Sequence, residues 1–191
     1  MRIASVYFQS DEVVELARSM VGMQLHSLIN GQHCSGFITE TEAYAGINDR
    51  ASHAFGGRLT KRTKVMYEAG GITYVYLCYG MHYLLNIVTG SEGNPHAVLI
   101  RAILPLVGKE IIQHRLTKEK LLSIHTDGPG KVCKALGINM LHNGISIDSH
   151  EVWLEMADKP FEGTILSYPR IGVHYAGADA LLPYRFSWKE T

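Results

Sequence analysis

Val13, Leu16, Ala17 and Met20 recur at i, i+3, i+4 and i+7, the spacing of one buried helical stripe. Ser10 is placed to cap that helix, Asp11 and Glu12 fall in its first turn, and Gly22 ends it. Leu25 to Ile29 and Cys34 to Ala43 then flank Asn30-Gly31, a dipeptide suited to the left-handed turn of a tight hairpin, so two antiparallel strands are expected. Ile72 to Cys78, Tyr83 to Val88 and Ala97 to Leu104 are rich in Tyr, Val, Ile and Leu and predict three more, interrupted at Gly80-Met81 and across Gly90 to Pro95. A helix charged on one face is expected over Gly108 to Leu122, and a short one over Lys131 to Leu136 between Gly128-Pro129-Gly130 and Gly137. Ile145 to Ile147, Val152 to Leu154 and Arg170 to Val173 read as short strands. No repeat or Pro/Ser-rich linker divides the chain. The expectation is an α+β fold: a single domain over residues 1–191, with one curved, mostly antiparallel sheet and helices packed on it.

Composition adds exclusions. The 191 residues suit one domain, and 46% hydrophobic against 19% charged residues supplies a core, which excludes disorder as the main state. Eighteen Lys and Arg balance 18 Asp and Glu, so any nucleic-acid binding must rest on a local patch. Cys34, Cys78 and Cys133 form neither a disulfide framework nor a C-x-x-C pair, which fits a reducing cytoplasm. The N-terminus has no apolar signal region, and the stretch Ala97 to Val107 is cut by Arg101 and Pro105, so neither secretion nor membrane spanning is expected. The ten His residues are scattered with no i, i+4 pair, and neither a dinucleotide glycine fingerprint nor a complete phosphate loop is present. No metal or organic cofactor is expected.

Three segments carry candidate chemistry. In Thr39-Glu40-Thr41-Glu42-Ala43-Tyr44, an extended chain places residues 40, 42 and 44 on one face, a carboxylate beside an aromatic ring, with His53 close behind in sequence. Thr39, Thr41 and Ala43 make the better core face, and a glutamate on the other face is ordinarily solvated. The hairpin Thr73 to Tyr83 holds four of the ten tyrosines in Tyr74, Tyr76, Tyr79 and Tyr83; Tyr74 and Tyr76 share a face, while Tyr79 and Met81 fall at the Gly80 tip. Such a hairpin is either a tyrosine-rich core or a protruding wedge able to unstack a duplex. Arg58, Lys61, Arg62 and Lys64, interleaved with hydroxyls, either face solvent or meet phosphate oxygens.

Taken together, these stretches resemble the alkyladenine (3-methyladenine, MPG-type) DNA glycosylase family, through Thr-Glu-Ala-Tyr at 41–44, Tyr-Val-Tyr at 74–76, Tyr-Gly-Met at 79–81, Leu-Ile-Arg-Ala at 99–102, Gly-Pro-Gly-Lys at 128–131 and Pro-Arg-Ile-Gly-Val at 169–173. The resemblance implies a monofunctional glycosylase of base excision repair that flips damaged purines out of duplex DNA and hydrolyses their glycosidic bond. It implies a partly open barrel similar to formyltransferase C-terminal domains, no metal or organic cofactor, and no lyase activity. By resemblance Glu42 is the general base, with Arg101 and the carbonyl of Ile171 holding the attacking water. Tyr44, His53 and Tyr76 sandwich the flipped base, and Asn86 disfavours the exocyclic amino group of guanine. Tyr79 intercalates, with Met81 in the same groove. Arg58, Lys61, Arg62, Lys64 and Lys131 are the candidates for the DNA backbone, although this chain has Thr60-Lys61-Arg62-Thr63 where many members have Thr-Pro-Arg-Asn. Damaged double-stranded DNA is the implied partner, with no membrane and no obligate protein partner; a monomer is expected because no heptad is present. Two other readings use the same residues: a nucleosidase acting on free purine nucleosides, and a non-catalytic sensor of distorted DNA.

Overall fold

A computed structural model describes residues 1–116, 126–157 and 163–190. Among them are three α-helices, α1 (Val13–Ser19), α2 (Lys109–Leu116) and α3 (Pro129–Leu136). Nine strands follow in chain order: β1 (Gln24–Ile29), β2 (Gln32–Tyr44), β3 (Thr73–Cys78), β4 (His82–Thr89), β5 (His96–Val107), β6 (Thr126–Asp127), β7 (Val152–Glu155), β8 (Thr164–Tyr168) and β9 (Arg185–Lys189). All belong to one antiparallel sheet running β3-β4-β5-β2-β1-β7, with β6 paired to β5 and the β8–β9 hairpin joined to β2. The fold is α+β, one curled antiparallel sheet with helices packed on it.

β2 organises the molecule. Its first half pairs with β1, its length with β5, and residues 40–42 with β9, so its end is enclosed on both edges. Register shifts flank Glu40 in the β2–β5 ladder. Thr41 and Ala43 face the core, where the Thr41 hydroxyl donates to the Ala17 carbonyl at 2.7 Å and fastens α1 to the sheet. Val13, Leu16, Ala17 and Met20 are all buried, as their spacing requires.

Local expectations fail where long-range partners intervene. Ser10 does not cap α1; the N-cap is Glu12 with no side-chain cap, and Asp11 instead accepts from the Ser91 N–H at 2.9 Å. The helix expected over 108–122 is described as Lys109–Leu116, and residues 117–122 lie outside the described residues. Ile145 to Ile147 supplies a single bridge, Ser146 to Ile72, with the Thr73 N–H donating to the Ile145 carbonyl and the Ile147 N–H to the Gly71 carbonyl; beyond it the Asn143 Oδ1 accepts the Val75 N–H in place of a backbone partner. Arg170 to Val173 is a loop, not a strand, since its backbone is committed to a site described below. The strands β8 and β9 were not anticipated from the pattern.

Candidate active site

One face of β2 carries Glu40, Glu42 and Tyr44, of which Tyr44 reaches the cavity described below. Glu42 has 0% of its surface exposed, against the solvated reading of a sheet-face glutamate. Its Oε1 accepts the Ile171 N–H at 2.8 Å, its Oε2 accepts the Tyr44 hydroxyl at 2.8 Å, and Arg101 Nη1 lies 3.4 Å from Oε2. Burial pushes the Glu42 carboxyl above its usual 4.5, against the opposing pull of Arg101, the Ile171 amide and the Tyr44 hydroxyl. Arg101 is shared: its Nε donates to Glu40 Oε1 at 3.1 Å, which Arg185 Nη1 also meets at 2.9 Å. A chain of alternating charge, Glu42, Arg101, Glu40 and Arg185, therefore runs beneath the site.

The loop that supplies the Ile171 N–H is itself anchored. Arg170 and Asp49 form a two-pronged ion pair, with Nη2 to Oδ1 at 2.8 Å and side chains 0% and 2% exposed. Arg170 also donates to the Ala43 carbonyl at 2.8 Å and lies 4.9 Å from the Tyr44 ring centroid, while Asp49 accepts the Ala45 and Ala51 N–H groups. Gly172, at φ 77°, turns the chain so that the Ile171 amide faces Glu42. The contact that Ile171 makes to Glu42 is through its backbone amide.

Above this platform opens a cavity of about 870 Å³. Tyr44, Arg101 and Ile171 line its base and His53, Tyr74, Tyr76 and Asn86 its walls. Glu42 lies one side chain beneath, behind the three groups that hold it. Arg62, which can only donate, gives Nη2–H to His53 Nε2 at 3.0 Å; the His53 proton is therefore on Nδ1 and is donated to the Tyr74 oxygen at 2.9 Å. Burial, then Arg62 and Arg58, hold the His53 pKa down to about 4, so the ring is neutral at pH 7. His53 stands edge-on to Tyr76 at 4.8 Å, and Tyr76 lies 5.3 Å from Tyr74. Asn86 is buried with Nδ2 tied to the Tyr74 carbonyl at 3.0 Å, which fixes the orientation of its amide against the cavity.

The β3–β4 tip rises beside the opening, with Tyr79 89% and Met81 69% exposed. Tyr79 and Gly80 have φ of 50° and 70°, nearly the values of Asn30 and Gly31 (53° and 73°) in the β1–β2 hairpin. One hairpin uses Asn-Gly, the ordinary residues for such a turn; the other forces a tyrosine into the left-handed region, at a cost of about 1–2 kcal/mol. Strain of this kind at an exposed aromatic tip points to function.

Of the basic residues, Arg58, Lys61, Arg62 and Lys64 are all exposed on the loop between the two segments, with the Arg62 side chain lining the cavity mouth, and Lys131 pairs with Asp127 at 2.5 Å near the start of α3. Among the described residues no group of three or more His, Cys, Asp or Glu side chains is placed to hold a metal, and no helix is long and apolar enough to cross a membrane. Sequence reasoning gave no role to Glu40, Asp49, Arg170 or Arg185. Arg170 stood inside the noted stretch at 169–173, but nothing local pairs it with Asp49, 121 residues away.

Comparison with known proteins is consistent along the whole chain. The model of the family described as Methylpurine-DNA glycosylase (MPG) matches residues 7–191. A protein of Chlamydia felis (strain Fe/C-56) named "Putative 3-methyladenine DNA glycosylase" is 48% identical over 94% of this chain and 92% of its own. Proteins of the same name from Desulfitobacterium hafniense (strain Y51) and Bacillus cereus (strain G9842) are 40% and 38% identical, covering 97% and 95% of this chain and 94% and 93% of theirs.

Proposed function

We propose, from the premise that this chain belongs to the methylpurine-DNA glycosylase family, that it is a monofunctional DNA glycosylase that flips alkylated purines from duplex DNA and hydrolyses their glycosidic bond. The observation that carries the reading is the buried Glu42 carboxylate at the foot of an aromatic cavity. An ionised carboxylate has about four acceptor positions. Ile171 and Tyr44 take two of them and Arg101 lies 3.4 Å from Oε2, so even with all three in place one acceptor position remains for a water.

In this mechanism the water oxygen attacks C1′ of the deoxyribose as its proton passes to Glu42. The bond from C1′ to the purine nitrogen breaks with its electron pair leaving on the purine. The sugar passes through an oxocarbenium-like state, whose positive charge the same carboxylate offsets. Alkylation at N3 or N7 makes the base a cation, so it departs neutral and stacks well on electron-rich rings beforehand; each favourable contact contributes about 0.5–2 kcal/mol. Tyr44, His53 and Tyr76 supply those faces, and the neutral His53 adds no repelling charge. His53 in that state has no proton to give as an acid at pH 7 beyond the one already held by Tyr74, which leaves Glu42 as the ionisable group in play. The exposed Tyr79 fills the space the nucleotide vacates.

The test is incubation with methylated duplex DNA across pH, with and without a chelator, followed by chromatography of released bases. Release of 3-methyladenine and 7-methylguanine, unchanged by chelator, is expected. Because the base form of Glu42 is the active one and its pKa is raised, activity is lost as pH falls through a value above 4.5. Arg101→Met, which takes away the largest influence favouring the charged form, moves that acid limb to higher pH. A limb unmoved by this change removes Glu42 as the titrating base. Absence of any base release despite binding to damaged duplex selects the non-catalytic reading.

Tyr79→Asn separates strain from function. Asparagine suits the turn, so the thermal midpoint is kept or raised. Excision from duplex falls more than from single strands, where little stacking must be broken. Equal losses on both substrates would contradict the wedge.

A further inference from the structure

Arg62 is exposed like the other basic residues of its loop, but its guanidinium lies across the cavity mouth. Its guanidinium lies 4.6 Å from the centroid of the Tyr76 ring, donates from Nη2 to His53 Nε2 at 3.0 Å and from Nε to the Tyr74 oxygen at 3.3 Å. Among the described residues no carboxylate is within ion-pair distance of it. The backbone beneath is tied by a threonine knot: the Thr60 N–H donates to Thr63 Oγ1 at 2.8 Å, the Thr63 hydroxyl donates to the Arg58 carbonyl at 2.8 Å, and the Lys64 N–H donates to the Thr60 carbonyl at 2.9 Å. The loop is therefore held while the long side chain above it has room to turn. What lies over the Tyr76 ring and against His53 is a planar cation, the same chemical character as the alkylated purine assigned to the Tyr44–His53–Tyr76 slot, of which these are two members.

We propose that Arg62 is a displaceable placeholder: its guanidinium covers Tyr76 and His53, two walls of the base slot, in the free protein, and an entering purine expels it onto a flanking DNA phosphate. The proposal rests on the glycosylase reading given above. A cationic base and the guanidinium compete for the one Tyr76 ring and carry like charge, so they do not share it. A phosphate offers the expelled guanidinium two parallel charge-assisted hydrogen bonds in place of those it leaves. Base entry and grip on the backbone then favour one another, since each is easier once the other has happened. The placeholder also sets a threshold: a base that stacks weakly, as an undamaged neutral purine does, gains too little to displace it. Arg62 is in this sense a specificity determinant, and Lys61 beside it a plain phosphate contact.

The experiment compares the wild type, Arg62→Gln and Lys61→Gln in three measurements: calorimetric titration with free 3-methyladenine, duplex binding across salt, and release of bases from methylated duplex. Arg62→Gln is expected to bind the free base roughly ten-fold more tightly, because nothing has to be displaced. It is also expected to bind duplex more weakly, with the logarithmic salt slope shallower by about one. Lys61→Gln lowers the salt slope alone. Free-base affinity unchanged or weakened in Arg62→Gln, including no measurable binding by either protein, overturns the placeholder even if the wild type releases methylated purines. A wild type that releases none overturns the glycosylase reading, and the placeholder with it.

Discussion

Replacing Glu42 with glutamine should leave no more than a few per cent of base release from alkylated duplex, while binding to an abasic-site duplex stays close to the wild type. A positioned general base contributes about 10²–10⁴-fold in rate, and the amide cannot take the water's proton or offset charge at the sugar. The fold should tolerate the change. Glutamine keeps the volume and an oxygen for the Ile171 N–H, and Arg101 retains Glu40 as a partner at 3.1 Å. Removing a charge whose burial is unfavourable also offsets part of what the lost ion pair contributes. Alanine is the poorer test, because it leaves a void and an unpaired amide beneath the cavity. Single-turnover release with a thermal melt on the same preparation checks both halves. A rate within ten-fold of wild type would remove Glu42 from its role.

Asp49→Ala is expected to be the most destabilising substitution near the site, by about 3–5 kcal/mol, because it strands the buried Arg170 guanidinium without its counter-charge. The same change frees the Ala45 and Ala51 amides and loosens the loop that aims the Ile171 N–H at Glu42. Activity should therefore fall even at temperatures where the variant remains folded. Replacing both partners, Asp49→Leu with Arg170→Met, should recover much of the stability, since two apolar groups carry no desolvation penalty, but not the activity, since the loop loses its tie to the Ala43 carbonyl. Urea unfolding midpoints of the two single variants and the double give the coupling. A loss under 1 kcal/mol for Asp49→Ala would show that the pair does not anchor the loop.

The two predictions concern residues of different legibility. Glu42 and Tyr44 stood out as an acid and an aromatic two residues apart on a strand, and Tyr76 and Tyr79 as part of an unusual density of tyrosine in one hairpin. Their spacing places them correctly because strand and hairpin geometry are local. Asn30-Gly31 likewise announced its turn, and the helical stripe of α1 its buried face. Missed were β8 and β9, whose burial pattern is mixed: Thr164–Tyr168 is largely exposed, and Arg185 leaves the strand pattern to join Glu40. The strand expected at Arg170 to Val173 failed because polar ties, not a ladder, hold that segment: Arg170 pairs with Asp49 and the Ile171 amide with Glu42, while Ile171 is left 52% exposed.

What the amino-acid sequence determined by itself is α1, the strands from β1 to β5 and the side chains brought to them: the β2 acid, the tyrosine hairpin, the basic loop and the antiparallel character of the sheet. These follow from periodicities of two and 3.6 residues, which act over a few neighbours. Only the tertiary structure decided that Glu42 is buried and not solvated, and that the Arg62 guanidinium lies across the cavity mouth. Glu42 meets its amide donor 129 residues away and Asp49 its arginine 121 residues away. A carboxylate's protonation, strength as a base and reach toward water depend on which distant groups close over it, and that closure is set by sheet topology, which local pattern does not encode.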